Sequence, residues 1–445
     1  MGAGLGFCKG AVRSQIAHEH VGQKKSDYKY YYKKLFIKKK KKKKKRKCFG
    51  ANKEMRTAMV VFSHYPADAR VRREAEALIA KGHTVDIVCL RKEGEGAYEK
   101  MKGGDVYRVN IQRKRGGLFR YLWEYFYFLA AAVLQMGALQ VKKGYKIVHV
   151  HNMPDILILA GTIPKLLGAK LVLDIHDIMP EYYMRKFSKN EYHPMIFILK
   201  LCEKFSIFYA DKVILASPFF KKRVDDRHAC DGKTSTLLNL PDPAYFKAEG
   251  NVKKTRNGKV KLIYPGTISE IHGIDIALVA LKTAIGKSEK NIEFHIFTMG
   301  AEREKEKLMG LVHELDLERA VFFHPRVPAE KLAETYHSMD IGVVPKRGGV
   351  FAEDAMSTKL FEFAAVGLPT IASKTKSDSL YFDDSMIAFF EPGNAEALSE
   401  RLMQLIEEPA LRVSLSHNAA QLYNKVNWDN EKERLTTLYS SLQDG

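Results

Sequence analysis

Apolar positions fall into two alternating series, each built of short buried runs separated by amphipathic stretches. In the first, Thr57 to Ser63 reads as a buried strand. Val71, Ala75, Leu78 and Ile79 then recur at helical spacing until Gly82 stops the helix, and Val85 to Leu90 is the next strand. Strand, helix and strand in that order predict a parallel pair joined by a right-handed crossover. Ile147 to His151, Leu171 to Ile175 and Lys212 to Ala216 continue the series, with Ser217 placed to cap a short helix. Asn239-Leu240-Pro241-Asp242-Pro243 interrupts it, because two prolines two apart in a polar stretch suit no helix and mark a linker. The second series runs through Lys261 to Tyr264, Glu293 to Thr298, Val321 to Phe323, Ile341 to Pro345 and Thr370 to Ala372. From Asn394 the pattern gives two helices, the last around Trp428 to Leu442. The predicted fold class is α/β, with two doubly wound domains over residues 55–243 and 244–425.

Length supports two cores, since 445 residues are too many for one, and 46% hydrophobic content is that of a globular protein. The net charge of +21 is unevenly placed: residues 1–54 hold 18 Lys and Arg against 3 acids, a net of +15. Lys38 to Lys45 is an unbroken lysine run, which repels itself and cannot bury a core, so residues 1–54 read as a disordered tail. Such a run suits nucleic acid or acidic lipid. Alternatively it is a translated A-rich upstream stretch with Met55 as the initiator, and this reading is favoured. The tail lacks an apolar signal-peptide region, and Gly6 stands where myristoylation wants Ser or Thr. Cys8, Cys48, Cys89, Cys202 and Cys230 show no paired spacing, so they predict neither a disulfide framework nor a zinc site.

Leu118 to Val141 is the most apolar stretch, with 17 residues free of charge from Tyr125 to Val141. Arg113, Lys114, Arg115 and Arg120 flank it on one side, Lys142 and Lys143 on the other. That falls short of the roughly 20 residues a membrane span needs. A buried crossover helix and a helix docked on a membrane surface, aromatics at the interface and lysines on headgroups, are the two readings.

Candidate chemistry gathers at the ends of the expected strands. After Ile341 to Pro345 comes a loop with Gly348 and Gly349, and Ser357 then sits where a helix N-cap would be. Strand, glycine loop and helix in that order offer free N–H groups at the positive end of a helix, suited to a phosphate. Lys359 adds a cation one turn in. Asp354 and Glu362 lie eight apart, which puts one carboxylate in the loop and the other inside the helix. Gly266-Thr267-Ile268-Ser269-Glu270-Ile271-His272-Gly273 repeats the arrangement after Tyr264. In the first half, Arg70, Arg72 and Arg73 stand at a helix start, where cations oppose the dipole unless an anion offsets them. His149 and His151 share one face of a strand, which alone is a weak metal site and reads as strand-end hydrogen bonding. No Asp-x-Asp occurs, which argues against carboxylates holding a divalent metal on a diphosphate.

The stretch from Phe351 to Pro369, with Ser-x-Lys-x-x-Glu and the closing Gly367-x-Pro369, resembles the donor-binding signature of retaining glycosyltransferases of family 4. The resemblance covers about residues 55 to 440 and implies the GT-B architecture, two Rossmann-like domains facing across a cleft, with the segment 426–445 crossing back to the first domain. It implies transfer of a sugar from a nucleotide-sugar donor to a glycan or lipid-linked acceptor with retention of configuration, without metal or further cofactor. His176, Asp354, Lys359 and Glu362 would form the catalytic set. Gly266, Thr267, His272, Gly300, Val327, Ser357 and Thr358 would bind the donor, and Arg70, Arg72, Asp177 and Glu181 the acceptor. Departures are Asp354 where Glu is usual, Thr267 and His272 where relatives carry Arg and Lys, and no glycine-rich loop after the first strand. Cytoplasmic work at the inner membrane face, in surface polysaccharide or glycoconjugate assembly, is the expectation. A GT-B epimerase, a non-catalytic scaffold and, less favoured, a nucleic-acid binder are the alternatives.

Overall fold

The computed structural model describes residues 55–111, 118–248, 258–298 and 302–443; the tail, residues 1–54, and Gly300 lie outside the described residues. The first apolar series supplies β1 (Arg56–His64), β2 (Thr84–Leu90), β3 (Tyr98–Met101), β4 (Gly104–Val109), β5 (Ile147–His151), β6 (Lys170–Ile175), β7 (Lys212–Leu215) and β8 (Thr234–Thr236). They form one sheet in the order β3-β4-β2-β1-β5-β6-β7-β8, parallel except for the β3–β4 hairpin. Helices α1 (Ala69–Ala80), α2 (Leu118–Lys143), α3 (Thr162–Leu166), α4 (Met179–Lys186), α5 (Pro194–Tyr209) and α6 (Pro218–His228) accompany these strands. The second series supplies β9 (Lys259–Pro265), β10 (Asn291–Thr298), β11 (Val321–Pro325), β12 (Ile341–Val344), β13 (Thr370–Ser373) and β14 (Ala388–Phe390). This sheet is wholly parallel, in the order β11-β10-β9-β12-β13-β14. Its helices are α7 (Ile274–Lys287), α8 (Glu302–Glu314), α9 (Ala329–Tyr336), α10 (Val350–Asp354) and α11 (Thr358–Val366), followed by α12 (Ala395–Glu407), α13 (Pro409–Tyr423) and α14 (Trp428–Gln443).

Strand alternation explains the continuous apolar runs. In β1, Ala58, Val60 and Phe62 enter one buried cluster while Met59 and Val61 enter another on the opposite face. A parallel sheet covered on both sides needs apolar side chains at every position, not every second one. The second cluster also takes in Ile263, Val344 and Ala372 from the other sheet and Leu435, Tyr439 and Leu442 from α14, so one core joins both domains and the terminal helix. On that same face β5 and β6 present His149, His151 and Asp174, all buried.

Three expectations are revised. The C-terminal segment holds three helices rather than two, because Pro409 opens a new helix at a first-turn position where its missing N–H costs nothing. The glycine loop before Ser357 contains the short helix α10, so Asp354 ends a helix instead of lying in open loop. The apolar segment is a 26-residue helix, α2, longer than its uncharged portion. Phe128, Ala132, Met136 and Leu139 of α2 lie in the core while Trp123, Phe126, Tyr127 and Leu134 face outward. α2 is long and apolar enough to cross a membrane by composition, and a third of its most apolar window is buried.

Candidate active site

The two glycine loops of the second domain meet where the Arg347 N–H donates to the Ile271 carbonyl at 2.9 Å, and Lys359 lies against the first of them. Gly266 follows β9 with φ +143, and a Cβ there would lie 2.7 Å from Lys359 Cε. The positive φ favours glycine, whose lack of a side chain also leaves room for the lysine stem along the loop backbone. Lys359 is half-buried, stands 5.2 Å from the centre of the Tyr264 ring, and has no ion-pair partner among the described residues. Burial pushes its ammonium down to about 8; Glu362 opposes this and Lys346 adds to it. Burial likewise takes His272 down to about 3, helped by Lys359, Lys346 and Arg185, so its ring is neutral, with Nδ1 2.8 Å from Ser269 Oγ. Thr267 is exposed, and its carbonyl accepts a 2.9 Å bond from the Tyr264 hydroxyl.

Ser357 stands at the N-cap of α11, but its hydroxyl donates to Asp378 (2.9 Å) and its N–H to the same carboxylate (2.7 Å). No side chain therefore caps α11; the Leu360 N–H turns to the Ser357 carbonyl at 3.1 Å, and the amides of Thr358 and Lys359, with no partner among the described residues, are left to a ligand. Gly367, at φ +75, ends the helix in the left-handed conformation that glycine accepts freely. One turn beyond the N-terminus, Glu362 is half-buried and accepts a 2.7 Å bond from the Tyr336 hydroxyl. Burial raises its carboxyl, against the pull of Tyr336, Lys359 and Arg73. Val327 sits half-buried in the loop between β11 and α9.

Asp354 departs most from expectation. It is buried, and its carboxylate is bound by Arg223 of α6, with Nε at 2.8 Å, while its carbonyl accepts from Ser217 Oγ at 2.9 Å. The acid expected to be open to a sugar thus spends its charge on an arginine of the other domain. Its neighbour Glu353 turns away, accepting the Lys376 N–H at 2.9 Å.

Across the cleft, Arg70, Arg73, Glu74, Asp174, His176, Asn239 and Trp428 line one pocket with parts of Leu237 and Leu238. His176 is buried beneath it, and burial pushes its ring down to about 3, Asp174 opposing and Arg70 reinforcing. Asp177, after the same strand, is half-buried; burial raises its carboxyl and Arg70 counters that. The premise that Arg70 awaits an anion fails, because Asp68, the N-cap of α1, takes its Nε and Nη2 at 3.1 Å each. Arg72 points to Glu76 and, across the domains, to Glu330 at 3.9 Å. Glu181 is buried and paired with Arg227, which also binds Glu203, so it belongs to the interior of the first domain and not to an acceptor surface.

The structure adds residues that sequence reasoning passed over. Arg185 of α4 reaches across to donate to the Gly348 carbonyl at 2.9 Å, with no carboxylate in ion-pair range among the described residues. Lys346, just past β12, is held by Asp378 (2.9 Å) and the Ala355 carbonyl (2.7 Å). Arg73 binds Asn239, lies 5.5 Å from the Trp428 ring and acts on Glu362, linking the pocket to the second domain. The basic pair Lys346-Arg347 at a strand end before two glycines was a readable signal; Arg185, in a charged helix far away in sequence, gave none. Chemically the site is a cationic, amide-lined socket beside a hydrogen-bonded carboxylate, suited to a diphosphate joined to a diol.

Comparison with known proteins identifies the family and the fold. Residues 247–422 match the family model described as glycosyl transferases group 1, and residues 67–236 match the glycosyl transferase 4-like domain. A D-inositol 3-phosphate glycosyltransferase from Acidothermus cellulolyticus is 24% identical over 187 residues, 40% of each chain, so the match spans well under half of that relative. An uncharacterized glycosyltransferase of Haemophilus influenzae is 22% identical over 62% of this chain and 73% of its own. Among solved structures, sucrose-phosphate synthase from Thermosynechococcus elongatus aligns with a TM-score of 0.70 at 19% identity, over 88% of this chain and all of the other. Anabaena HepE in complex with UDP-glucose aligns with a TM-score of 0.64 at 14% identity, over 87% and 100%. The structural likenesses establish the two-domain GT-B fold; with both family domains matched in order along the chain, the protein belongs to the group 1, family 4 type of glycosyltransferases.

Proposed function

We propose that the protein transfers a sugar from a nucleotide-sugar donor to a hydroxyl of a glycan or lipid-linked acceptor, with retention of configuration and without a metal on the diphosphate. The observation that carries this is the half-buried Lys359, lying over Gly266 beside the uncapped N-terminus of α11, with Glu362 one turn further on. Amides, Lys359 and Arg185 would take the charge that develops on the departing diphosphate. Glu362 would hold the ribose diol, a task suited to paired acceptor oxygens. The anomeric carbon to phosphate–oxygen bond breaks, a carbon–oxygen bond to the acceptor forms, and the acceptor's proton leaves with the nucleoside diphosphate. His176 faces the acceptor side as a neutral imidazole.

A membrane-bound acceptor is supported by exposed apolar side chains on two helices of the first domain. Trp123 and Phe126 of α2 are about two-thirds exposed, and Phe197, Leu201, Phe205 and Phe208 of α5 are exposed beside Lys200 and Lys204. Aromatics with flanking lysines suit the headgroup region of a bilayer, and work at the cytoplasmic membrane face follows from that reading.

The test is nucleoside diphosphate release from a panel of UDP-, GDP-, ADP- and dTDP-sugars with no added divalent metal. Release from one donor that is lost in Glu362→Ala is the expected result. Release unchanged in that variant refutes the site. Conversion of the donor to an isomeric sugar nucleotide, with no diphosphate released, identifies an epimerase instead.

A further inference from the structure

A second cluster of chemically capable side chains lies beneath the cleft, and it stands independently of the sugar-transfer reading. His149 and His151 occupy one face of β5, Asp174 is the register partner of His151 on β6, and Glu74 descends from α1. All four are at least nine-tenths buried. Their nearest nitrogen and oxygen atoms all lie within 4.8 Å of one another. We propose that Glu74, His149, His151 and Asp174 bind a divalent transition-metal cation of the zinc class.

Three observations point to a cation. His149 Nε2 lies 3.7 Å from Glu74 Oε2 and 3.6 Å from Asp174 Oδ2, while His151 Nδ1 lies 3.1 Å from Asp174 Oδ2, in hydrogen-bond range when no ion is bound. Ligands at zinc bonding distance stand roughly 3.3 Å apart around a tetrahedron; these three separations lie near that value, and the whole set, within 4.8 Å, would draw in around one ion. Second, Glu74 Oε2 and His149 Nε2 have no hydrogen-bond partner although both are fully enclosed, which is costly for polar atoms. Third, the other nitrogen of His149 is fixed by the Tyr439 hydroxyl at 2.9 Å, as the outer nitrogen of a metal-bound imidazole is held.

Two imidazoles and two carboxylates favour zinc over the oxygen-loving magnesium and calcium, and the absence of thiolate disfavours copper(I). The ion's function follows from its neighbours. His176 Nε2 is 3.4 Å from Asp174 Oδ2 and 3.3 Å from His151 Nδ1, so the cluster forms the floor on which the pocket-facing histidine rests. Tyr439 belongs to α14, so the same ion would tie the C-terminal helix to the first sheet.

The competing arrangement is a proton shared between Glu74 and Asp174 with no metal. To separate the two, the full-length protein is incubated with ZnCl2, desalted, and its metal measured by mass spectrometry alongside its melting temperature. Wild type is expected to retain about one equivalent and to melt higher with zinc, whereas His149→Gln/His151→Gln retains about one equivalent less and is not stabilised. The shape-conserving Glu74→Gln provides the same comparison if the double variant does not fold. Wild type without retained zinc, or a folded variant retaining as much as wild type, overturns the proposal. Neither result depends on finding the sugar donor.

Discussion

Replacing Lys359 with methionine should make the unliganded protein more stable while weakening its hold on a nucleotide. Lys359 sits at about 8 instead of its ordinary 10.5, chiefly because burial strips water from the ammonium. That displacement amounts to about 3 kcal/mol of unfavourable charge burial at neutral pH. Methionine keeps most of the stem and removes the charge, so K359M should gain up to about 3 kcal/mol at pH 7, less what Glu362 loses with its neighbouring cation. The folded-state pKa is lowered, so between about 8 and 10.5 the unfolded chain binds the extra proton. Wild-type stability therefore rises relative to the variant across that window, and the advantage of K359M should shrink toward zero by pH 10.5. Urea unfolding of both proteins at neutral and high pH reads this difference and cancels the titrating groups that Lys359 does not act on. Calorimetric titration with nucleoside diphosphates should show at least about a tenfold loss in affinity at neutral pH, the worth of one charge-assisted contact. A variant less stable than wild type at pH 7, or an advantage that does not narrow with pH, refutes the buried-cation argument. Unchanged nucleotide affinity refutes the assignment of Lys359 to the phosphates.

Other expectations follow from single contacts. Gly273 has φ +60, and a Cβ there would stand 1.9 Å from the Pro345 carbonyl oxygen, so Gly273→Ala should cost more than the roughly 1–2 kcal/mol of left-handed strain alone, read by urea midpoint. Tyr336→Phe removes the 2.7 Å donor to Glu362 and should weaken nucleotide binding with a stability loss of about 1–3 kcal/mol, measured by titration and thermal melting. Arg185→Ala should raise the donor KM about tenfold with little change in melting temperature, since its protein contact is one carbonyl bond; an unchanged KM places Arg185 outside the donor site.

The fold was legible where strands are covered on both sides, because burial on two faces writes an unbroken apolar run into the chain, as in Thr57 to Ser63 and Val85 to Leu90. It was not legible in the β3–β4 hairpin. Tyr98 to Met101 carries two charges and is largely exposed, and the pair is held from outside its own sequence: a Cβ on Gly104 would meet the Val85 carbonyl at 1.8 Å, and Lys143 bridges Asp86 and Asp105. Gly103-Gly104 reads locally as a loop, yet its function is close approach to β2. β8 and β14, three residues each, are too short for any period to register.

The same division runs through the site. Lys359, Glu362 and Gly266 were readable because strand, glycine loop and helix are local arrangements whose order dictates where amides and side chains point. Asp68 was equally local, an Asp one residue before a helical run, and it decides the state of Arg70. What local reading could not give is the long-range traffic: Arg223 on Asp354 and Arg185 on Gly348 cross between the domains, and Arg73 on Asn239 ties the first helix to the linker, each joining residues more than 130 positions apart. These contacts change the chemistry assigned to single residues. A buried carboxylate held by a guanidinium is expensive to strip, because breaking the pair leaves one charge uncompensated. A sugar that reaches Asp354 must therefore share it with Arg223 or arrive with the domains parted. The first acid of the signature is thus held jointly by two domains, its carboxylate by Arg223 and its carbonyl by Ser217 of the other domain.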